Sequence, residues 1–403
     1  MTADTPVTPV TPDVLVIGAG VIGASCAFHL ARAGLSVTVV DGAPSPDPDA
    51  GPGSTARATG GIRAQFATAI NIRLSLLARR KLASFRDDTG VDPGFSPVGY
   101  LWLAGTAAQV DALAEANALQ LREGLADARL VGPSDIRAIN PFIATPAIAG
   151  GAWCPSDGVM RPREIRRGYL EAAARLGVDV RWGERVTSIA RDSASEDRLA
   201  RVVTSYGAAQ ITYSPGLVID AAGAWAGSVA KLAGIDIPIA PLRRQVAITT
   251  ATDALPASFP MTIWLDDGFH LRVRDGRVLL LRPTPGDPDD PWNDRVDPTW
   301  LDAIRRDMTT RVPALHGVSL DREASWAGLY EMSPDGHALV GRAPGVSNLV
   351  IAGGNSGHGV MHAPAIGQLV AELVTDTPPS LDIHALRPSR LVDNEPIAGS
   401  SLL

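Results

Sequence analysis

Asp13-Val-Leu-Val-Ile-Gly-Ala-Gly-Val-Ile-Gly-Ala-Ser25 is the stretch from which the rest of this 403-residue chain is read. Val14 to Ile17 form a short apolar run suited to a buried parallel strand. Gly18, Gly20 and Gly23 follow it at the G-x-G-x-x-G spacing. From Val21 to Ala33 the residues are mostly small or apolar, as a helix packed tightly on a sheet requires. Gly18 permits the tight turn, Gly20 admits a pyrophosphate to the backbone, and Gly23 lets helix and strand pack closely. The phosphates then sit on the helix N-terminus, where free N–H groups and the dipole favour negative charge. Gly34 is predicted to end the helix and Leu35 to Val40 to form a second strand. Asp41 closes that strand about 20 residues after the glycines, placed to accept from ribose hydroxyls. The unit predicts a dinucleotide site. The turn alone does not separate NAD from FAD, so an NAD-dependent dehydrogenase stays open at this point.

Composition narrows the class. With 45% hydrophobic and 20% charged residues the chain is globular, and its length predicts two or three domains. A net charge of −7 argues against nucleic acid or an anionic membrane as partner. The only cysteines are Cys26 and Cys154, too few for a disulfide framework or a metal cluster, and Cys26 reads as a small buried filler. No apolar run reaches the roughly 18 residues that a membrane span needs. The first residues lack the basic and apolar regions of a signal peptide. Residues 1–12 are therefore expected to be a flexible tail, and the protein cytoplasmic.

Along the chain, the Pro/Gly-rich segment from Gly42 to Gly53 cannot be helix or central strand. Ile70 to Phe85 shows helical spacing, Tyr100 to Leu103 reads as a strand, Ala107 to Leu121 as a helix, and Pro133 to Pro141 as a turn-rich return. A helix over Arg163–Leu176 precedes strands at Val178–Trp182 and Val186–Ala190. A hairpin follows, turning near Tyr206-Gly207, and then a buried strand at Leu217–Gly223 that ends in small residues. From Ile239 to Arg282 the pattern is all strand, with a turn at Asp275-Gly276, and predicts an antiparallel sheet. Asn348 to Gly359 is strand then glycine loop, leading into an apolar helix over Val360–Val374. Nucleotide-domain segments therefore stand at both ends of the chain with a β-rich portion between. The tail after Pro378 reads as a loose extension.

Five stretches, in order, carry a resemblance. They are the Gly18/Gly20/Gly23 turn with Asp41, Gly53-Ser-Thr-Ala-Arg-Ala-Thr-Gly-Gly61, and Asp220-Ala-Ala-Gly-Ala-Trp225. Trp326-Ala-Gly-Leu-Tyr-Glu-Met-Ser-Pro-Asp335 and Gly354-Asn-Ser-Gly-His-Gly359 complete the set. Together they resemble the FAD-dependent amine oxidoreductases of the D-amino-acid oxidase type, a group that includes glycine and sarcosine oxidases. The resemblance implies an α/β plus antiparallel-β fold: a GR2-type, Rossmann-like FAD-binding domain interleaved with a β-sheet substrate-binding domain. It assigns 13–95, 150–235 and 325–380 to the former, 96–149 and 236–324 to the latter, and leaves 381–403 as a C-terminal extension.

The cofactor contacts it implies are Gly18, Gly20, Val21, Ile22, Gly23 and Asp41 at the first turn. Ser54, Thr55, Arg57, Ala58, Thr59, Gly60 and Gly61 would run under the pyrophosphate and flavin. Val186 would meet the adenine, and Ala222, Gly223 and Trp225 would abut the cofactor. Gly354, Asn355, Gly357, His358, Gly359, Val360 and Met361 would bring backbone N–H groups to the flavin, where a helix N-terminus stabilises charge on its reduced form. His358 reads as structural.

Departures from the family locate the branch. Glycine oxidase and D-amino-acid oxidase carry a carboxylate-clamping arginine where this chain has Tyr330. Something else must pair with a substrate carboxylate in a dry pocket. Arg63 is the candidate, since the sarcosine-oxidase loop bears such an arginine at the same spacing, and Tyr330 fits that branch. Gly328 stands where sarcosine oxidase binds flavin through a cysteine, so FAD is expected to be non-covalent. Met361 replaces that enzyme's second carboxylate contact, a lysine, and widens the pocket toward larger, more apolar N-substituents. No lysine between Pro260 and Asp297 matches the oxygen-activating one. His270 falls on the strand that would roof the substrate; Arg244 and Arg282 are similar, weaker cases.

The implied reaction is hydride transfer from a glycine-like or N-alkylated amino acid to FAD, imine hydrolysis, and reoxidation by O2 or another electron acceptor. No metal is implied. A D-amino-acid or proline-type dehydrogenase and a non-catalytic flavin-bearing subunit are the alternatives.

Overall fold

The computed structural model describes residues 9–47, 49–286 and 289–398. Val14–Ile17 is the centre of a six-stranded sheet, flanked by Val37–Asp41 and Asp179–Trp182 on one side. On the other side stand Leu217–Asp220, Leu349–Gly353 and, antiparallel at the edge, Leu339–Arg342. Four of its five pairings are parallel, and the central strands Val14–Ile17, Val37–Asp41, Leu217–Asp220 and Leu349–Gly353 are apolar runs buried on both faces, as parallel strands require. Leu15, Val16, Val39, Val218, Val350 and Ile351 are fully buried, each contributing about 1.5–3 kcal/mol relative to exposure.

The helix Val21–Arg32 packs on this sheet at close range because Gly23 has no side chain. A Cβ there would lie 1.9 Å from the carbonyl oxygen of Gly18. The helix Gly359–Val374 packs against the same helix through Gly367, where a Cβ would come within 2.1 Å of Ser25 Oγ. Ser25 Oγ also donates to the Ala363 carbonyl at 2.8 Å. The two ends of the sequence thus form one layer.

The second large sheet has eight strands. In order they are Leu320–Met332, Ala240–Thr249, Arg277–Leu281, His270–Arg274, Met261–Trp264, Tyr100–Ala104, Gly150–Cys154 and Arg129–Val131. It is mixed, not purely antiparallel as expected: Met261–Trp264 runs parallel to Tyr100–Ala104. The Asp275-Gly276 turn forms as read, both residues having positive φ. Gly150–Cys154 and Leu320–Met332, read with the nucleotide part, are strands of this sheet.

Pro133–Ile139, expected as a turn, is a helix with proline in its first turn, where the missing N–H is not needed. Ser54–Arg57, expected as loop, is a single helical turn. The tail expected at residues 1–12 lies partly outside the described residues, since 1–8 are not among them. Within it, Val10 is bridged to the hairpin, donating to Thr212 O and accepting from Ser214 N. The segment after Pro378 is not loose. Arg390 is fully buried and ion-paired with Asp335; residues 399–403 lie outside the described ones.

Candidate FAD and substrate site

A cavity of about 1190 Å³ lies between the two large sheets. It exceeds the roughly 300–1,000 Å³ of a usual small-molecule pocket, leaving room for a dinucleotide and a substrate. One end is built by the first glycine turn, Asp41 and the Glu184–Val186 segment. The other is built by Arg63, Tyr100, Trp102, His270 and Tyr330. All the sequence-predicted site residues line it except Gly23, Gly354 and Asn355. Gly23 serves helix–strand packing instead, and Gly354 has a left-handed φ of 65° in the loop. Asn355 Nδ2 donates to Glu331 Oε1 at 2.7 Å.

At the nucleotide end, Asp41 Oδ2 accepts from Ala19 N at 2.6 Å and Oδ1 from Ala43 N at 2.7 Å, fixing the carboxylate at the strand tip. Thr55 Oγ1 accepts from Val21 N at 3.0 Å and so ties the Ser54–Arg57 turn to the helix N-terminus. The same turn is held from the far side. Ser54 Oγ donates to Leu329 O at 2.6 Å and Trp326 Nε1 to Arg57 O at 2.8 Å. Arg57 lines the cavity; its Nη2 lies 3.7 Å from Asp294 Oδ2, and its Nη1 is buried with no hydrogen-bond partner among the described residues, a donor left for an anion. Gly328 leaves space that Arg57 fills, since a Cβ there would lie 2.9 Å from Arg57 Cβ. These features fit a dinucleotide pyrophosphate.

At the substrate end, Arg63 is 7% exposed. Its Nη1 donates to the Gln65 carbonyl, its Nη2 lies 3.4 Å from His358 Nε2, and the guanidinium sits 3.8 Å from the Phe66 ring centroid and 5.0 Å from that of Trp102. It forms no ion pair among the described residues. Burial lowers its pKa from 12.5 to about 10, so it stays charged at neutral pH.

The nearby acid, Asp157, is occupied elsewhere. It accepts from Ala64 N at 2.8 Å, Gln65 N at 3.4 Å and Arg79 Nη1 at 3.4 Å, and thereby sets the backbone that carries Arg63. Burial raises Asp157 to about 6. His270 Nδ1 donates to Gly268 O at 2.8 Å, and burial keeps the ring neutral, which leaves Nε2 as an acceptor. His358 is likewise held neutral by burial and by Arg63. Tyr330 lies across Gly357, where a Cβ would come within 2.3 Å of its ring, so that glycine is required. Arg282, weighed from sequence as a substrate contact, is neutralised by Asp307.

Sequence reading passed over three functional positions. Tyr100 places its hydroxyl where a Cβ on Gly61 would lie 1.9 Å away. Arg272, buried on the next strand, donates to Thr59 O and steadies the glycine loop. Glu331 is buried beside Asn355, Gly223 and the first residue of the closing helix. The sequence held no signal for it, since alternation along the strand turns it to the face opposite Tyr330.

Burial raises Glu331 from 4.5 to about 7, and buried Asp220 is raised likewise. A carboxyl whose folded pKa is raised loses stability as pH climbs from the unfolded value to the folded one. Glu331→Gln removes that loss. Relative to wild type, the variant should therefore gain thermal stability between pH 5 and pH 8, on the order of 2 kcal/mol. A stability difference that is flat across that range would refute the assignment. Among the described residues no helix is long and apolar enough to cross a membrane.

The comparisons agree with this construction. Residues 13–373 match the family DAO, described as FAD dependent oxidoreductase. The chain is 31% identical to FAD-dependent oxidoreductase domain-containing protein 1 of Xenopus laevis, over 93% of this chain and 81% of that protein. It is 26% identical to the glycine oxidase of Bacillus licheniformis, over 91% and 94%. The structure is similar to that of L-proline dehydrogenase from P. horikoshii, with a TM-score of 0.86, 27% identity, and coverage of 96% and 100%. A glycine turn, a cavity sized for a dinucleotide and a match over nearly the whole length lead to one conclusion: this chain belongs to the DAO family of FAD-dependent oxidoreductases.

Proposed function

We propose that the protein oxidises the C–N bond of a glycine-like or N-substituted amino acid, with FAD held non-covalently. The observation that carries this reading is Arg63: a buried, charged guanidinium with no ion-pair partner among the described residues, in the same cavity as the glycine turn. Such a group is costly unless a ligand carboxylate completes it. When bound, FAD supplies the two-electron acceptor. Arg63 anchors the carboxylate, Tyr330 and Tyr100 wall the pocket, and His270 Nε2 accepts from the amine N–H. The cations favour the neutral amine, whose lone pair is needed as the α C–H bond breaks. FAD, held by the glycine turn, the Ser54–Gly61 loop and Arg57, would supply the acceptor for the α hydrogen and its two electrons, and water would split the resulting imine into an oxo product and an amine. No dedicated base is required.

Non-covalent attachment is supported by Gly328, and by Cys26 and Cys154 being buried away from the cavity. The interleaved division into FAD-binding segments (13–95, 150–235, 325–380) and substrate-binding segments (96–149, 236–324) belongs to this proposal. Its boundaries move so that Gly150–Cys154 and Leu320–Met332 join the substrate-side sheet. Reoxidation by O2 with release of H2O2 is our first reading of the second half-reaction. The similarity to an L-proline dehydrogenase favours, as a second reading, transfer to a quinone or partner protein.

Anaerobic addition of glycine, sarcosine, larger N-substituted glycines, D-alanine and L-proline to the holoenzyme tests the proposal. Bleaching of the flavin band by an N-substituted glycine is expected. A bound flavin that no member of the panel bleaches would overturn the substrate class.

A further inference from the structure

We propose that the substrate carries two carboxylates, one met by Arg63 and the other by a second anion subsite at Arg244; this rests on the amino-acid reading above. The class is a secondary amine with an acid group on both nitrogen substituents, an N-carboxyalkyl amino acid.

The argument is one of charge. Three arginines line the substrate end of the cavity: Arg63, Arg244 and Arg282. Arg282 is neutralised by Asp307. Arg244 has no such partner. Its Nη1 donates to the carbonyls of Thr284 at 2.9 Å and Arg243 at 3.2 Å, which hold the side chain in place. Those bonds leave the Nε–Nη2 edge, a planar fork suited to a carboxylate, without a protein partner among the described residues.

Arg244 stands opposite Gly328 in the antiparallel ladder, where the stem of Arg57 fills the space, and its guanidinium carbon lies 5.5 Å from the Tyr330 ring centroid. Tyr330 and His270 each feel both Arg63 and Arg244, so the two cations flank one volume. The acids of the cavity cannot compensate them. Asp41, Asp47 and Glu184 lie at the nucleotide end, and Glu331 is engaged by Asn355. His270 is neutral and supplies no negative charge.

A substrate with a single carboxylate would satisfy one guanidinium and leave the other desolvated and unpaired, which is unfavourable. The loss of a lysine at Met361 suggested an apolar N-substituent. Arg244 points to an anionic one.

The test uses two unreactive sulfur analogues, thiodiacetate with two carboxylates and (methylthio)acetate with one. Each is titrated into the FAD-loaded enzyme and followed by perturbation of the visible flavin spectrum. Thiodiacetate is expected to bind at least about tenfold more tightly, the scale of a close charge pair. In Arg244→Met the ratio of the two affinities should fall to within about threefold. Arg244→Lys, which keeps the charge and loses the fork, should lie between, and the flavin spectrum of each variant reports whether it has folded and loaded.

Equal binding of the two ligands by wild type would overturn the proposal. So would Arg244→Met weakening both alike, since the two arginines would then grip one carboxylate. If neither ligand perturbs a fully loaded enzyme, the amino-acid reading itself fails.

Discussion

Arg63→Met should lower kcat/KM for the amino-acid substrate by about 10²- to 10⁴-fold while leaving the flavin spectrum and the unfolding temperature at or above their wild-type values. The catalytic loss follows from the roughly 3–5 kcal/mol at stake when one partner of a desolvated charge pair is removed. The substrate carboxylate would enter a pocket walled by Tyr100, Trp102 and Tyr330 with its cation gone.

The stability claim separates this role from a structural one. In the free protein Arg63 is buried with no ion pair, held by one carbonyl and two aromatic faces. Replacing an unpaired buried cation by an apolar chain of similar length relieves a desolvation cost. A structural arginine would give the opposite pattern, with melting lowered and catalysis little changed. Arg63→Lys should recover part of the activity, since it restores charge without the bidentate fork. Stopped-flow reduction at several substrate concentrations would show whether the loss lies in binding or in the reductive step.

The fold was legible where local pattern and chemistry coincide. The apolar Val14–Ile17, the three glycines and Asp41 sit within one βαβ unit, so spacing alone identifies it. Arg63 was singled out by the resemblance, a fixed short distance beyond the Gly53–Gly61 loop; the structure places it in the cavity, and its pairing with a carboxylate is the proposal made above.

Pairings between remote segments were not legible. Alternation over Ile239–Arg282 reveals hairpins, but nothing in it says that Tyr100–Ala104 will close on Met261–Trp264 in parallel. The same holds for charge. From sequence Arg244 and Arg282 are equivalent cavity arginines. Only the approach of Asp307, on the helix Pro298–Arg311, neutralises one and leaves the other open. Nothing in the sequence marks Glu331 and Asp157 as buried acids, because burial of a carboxyl leaves no trace in the residues beside it.

The second large effect lies outside the cavity. Arg390→Met should destabilise the protein by about 3–5 kcal/mol, with the gap from wild type larger at pH 7 than at pH 4. Arg390 is 0% exposed, and all its donors are engaged. Nε and Nη2 reach the two oxygens of Asp335 at 2.9 and 2.8 Å. Nη1 reaches Ala338 O and Leu386 O, and Nη2 also reaches His337 O. Removing the guanidinium strands a buried carboxylate and three carbonyls at once.

The pH dependence follows from the carboxyl. Burial pushes Asp335 up, but Arg390 and neighbouring amides outweigh it and hold the pKa at about 2, below its ordinary 3.8. That stabilisation is complete above the unfolded value and is lost as pH falls through 2. In the variant burial acts unopposed, so Asp335 binds a proton in the weakly acid range and the deficit shrinks there. A gap that does not change with pH would reduce Arg390 to a packing residue.

The consequence reaches the site because Asp335 follows directly on the strand that carries Gly328, Tyr330 and Glu331. The C-terminal segment clamps the turn at that strand's end. The variant should accordingly release FAD at a lower temperature than wild type while keeping its kcat at 25 °C.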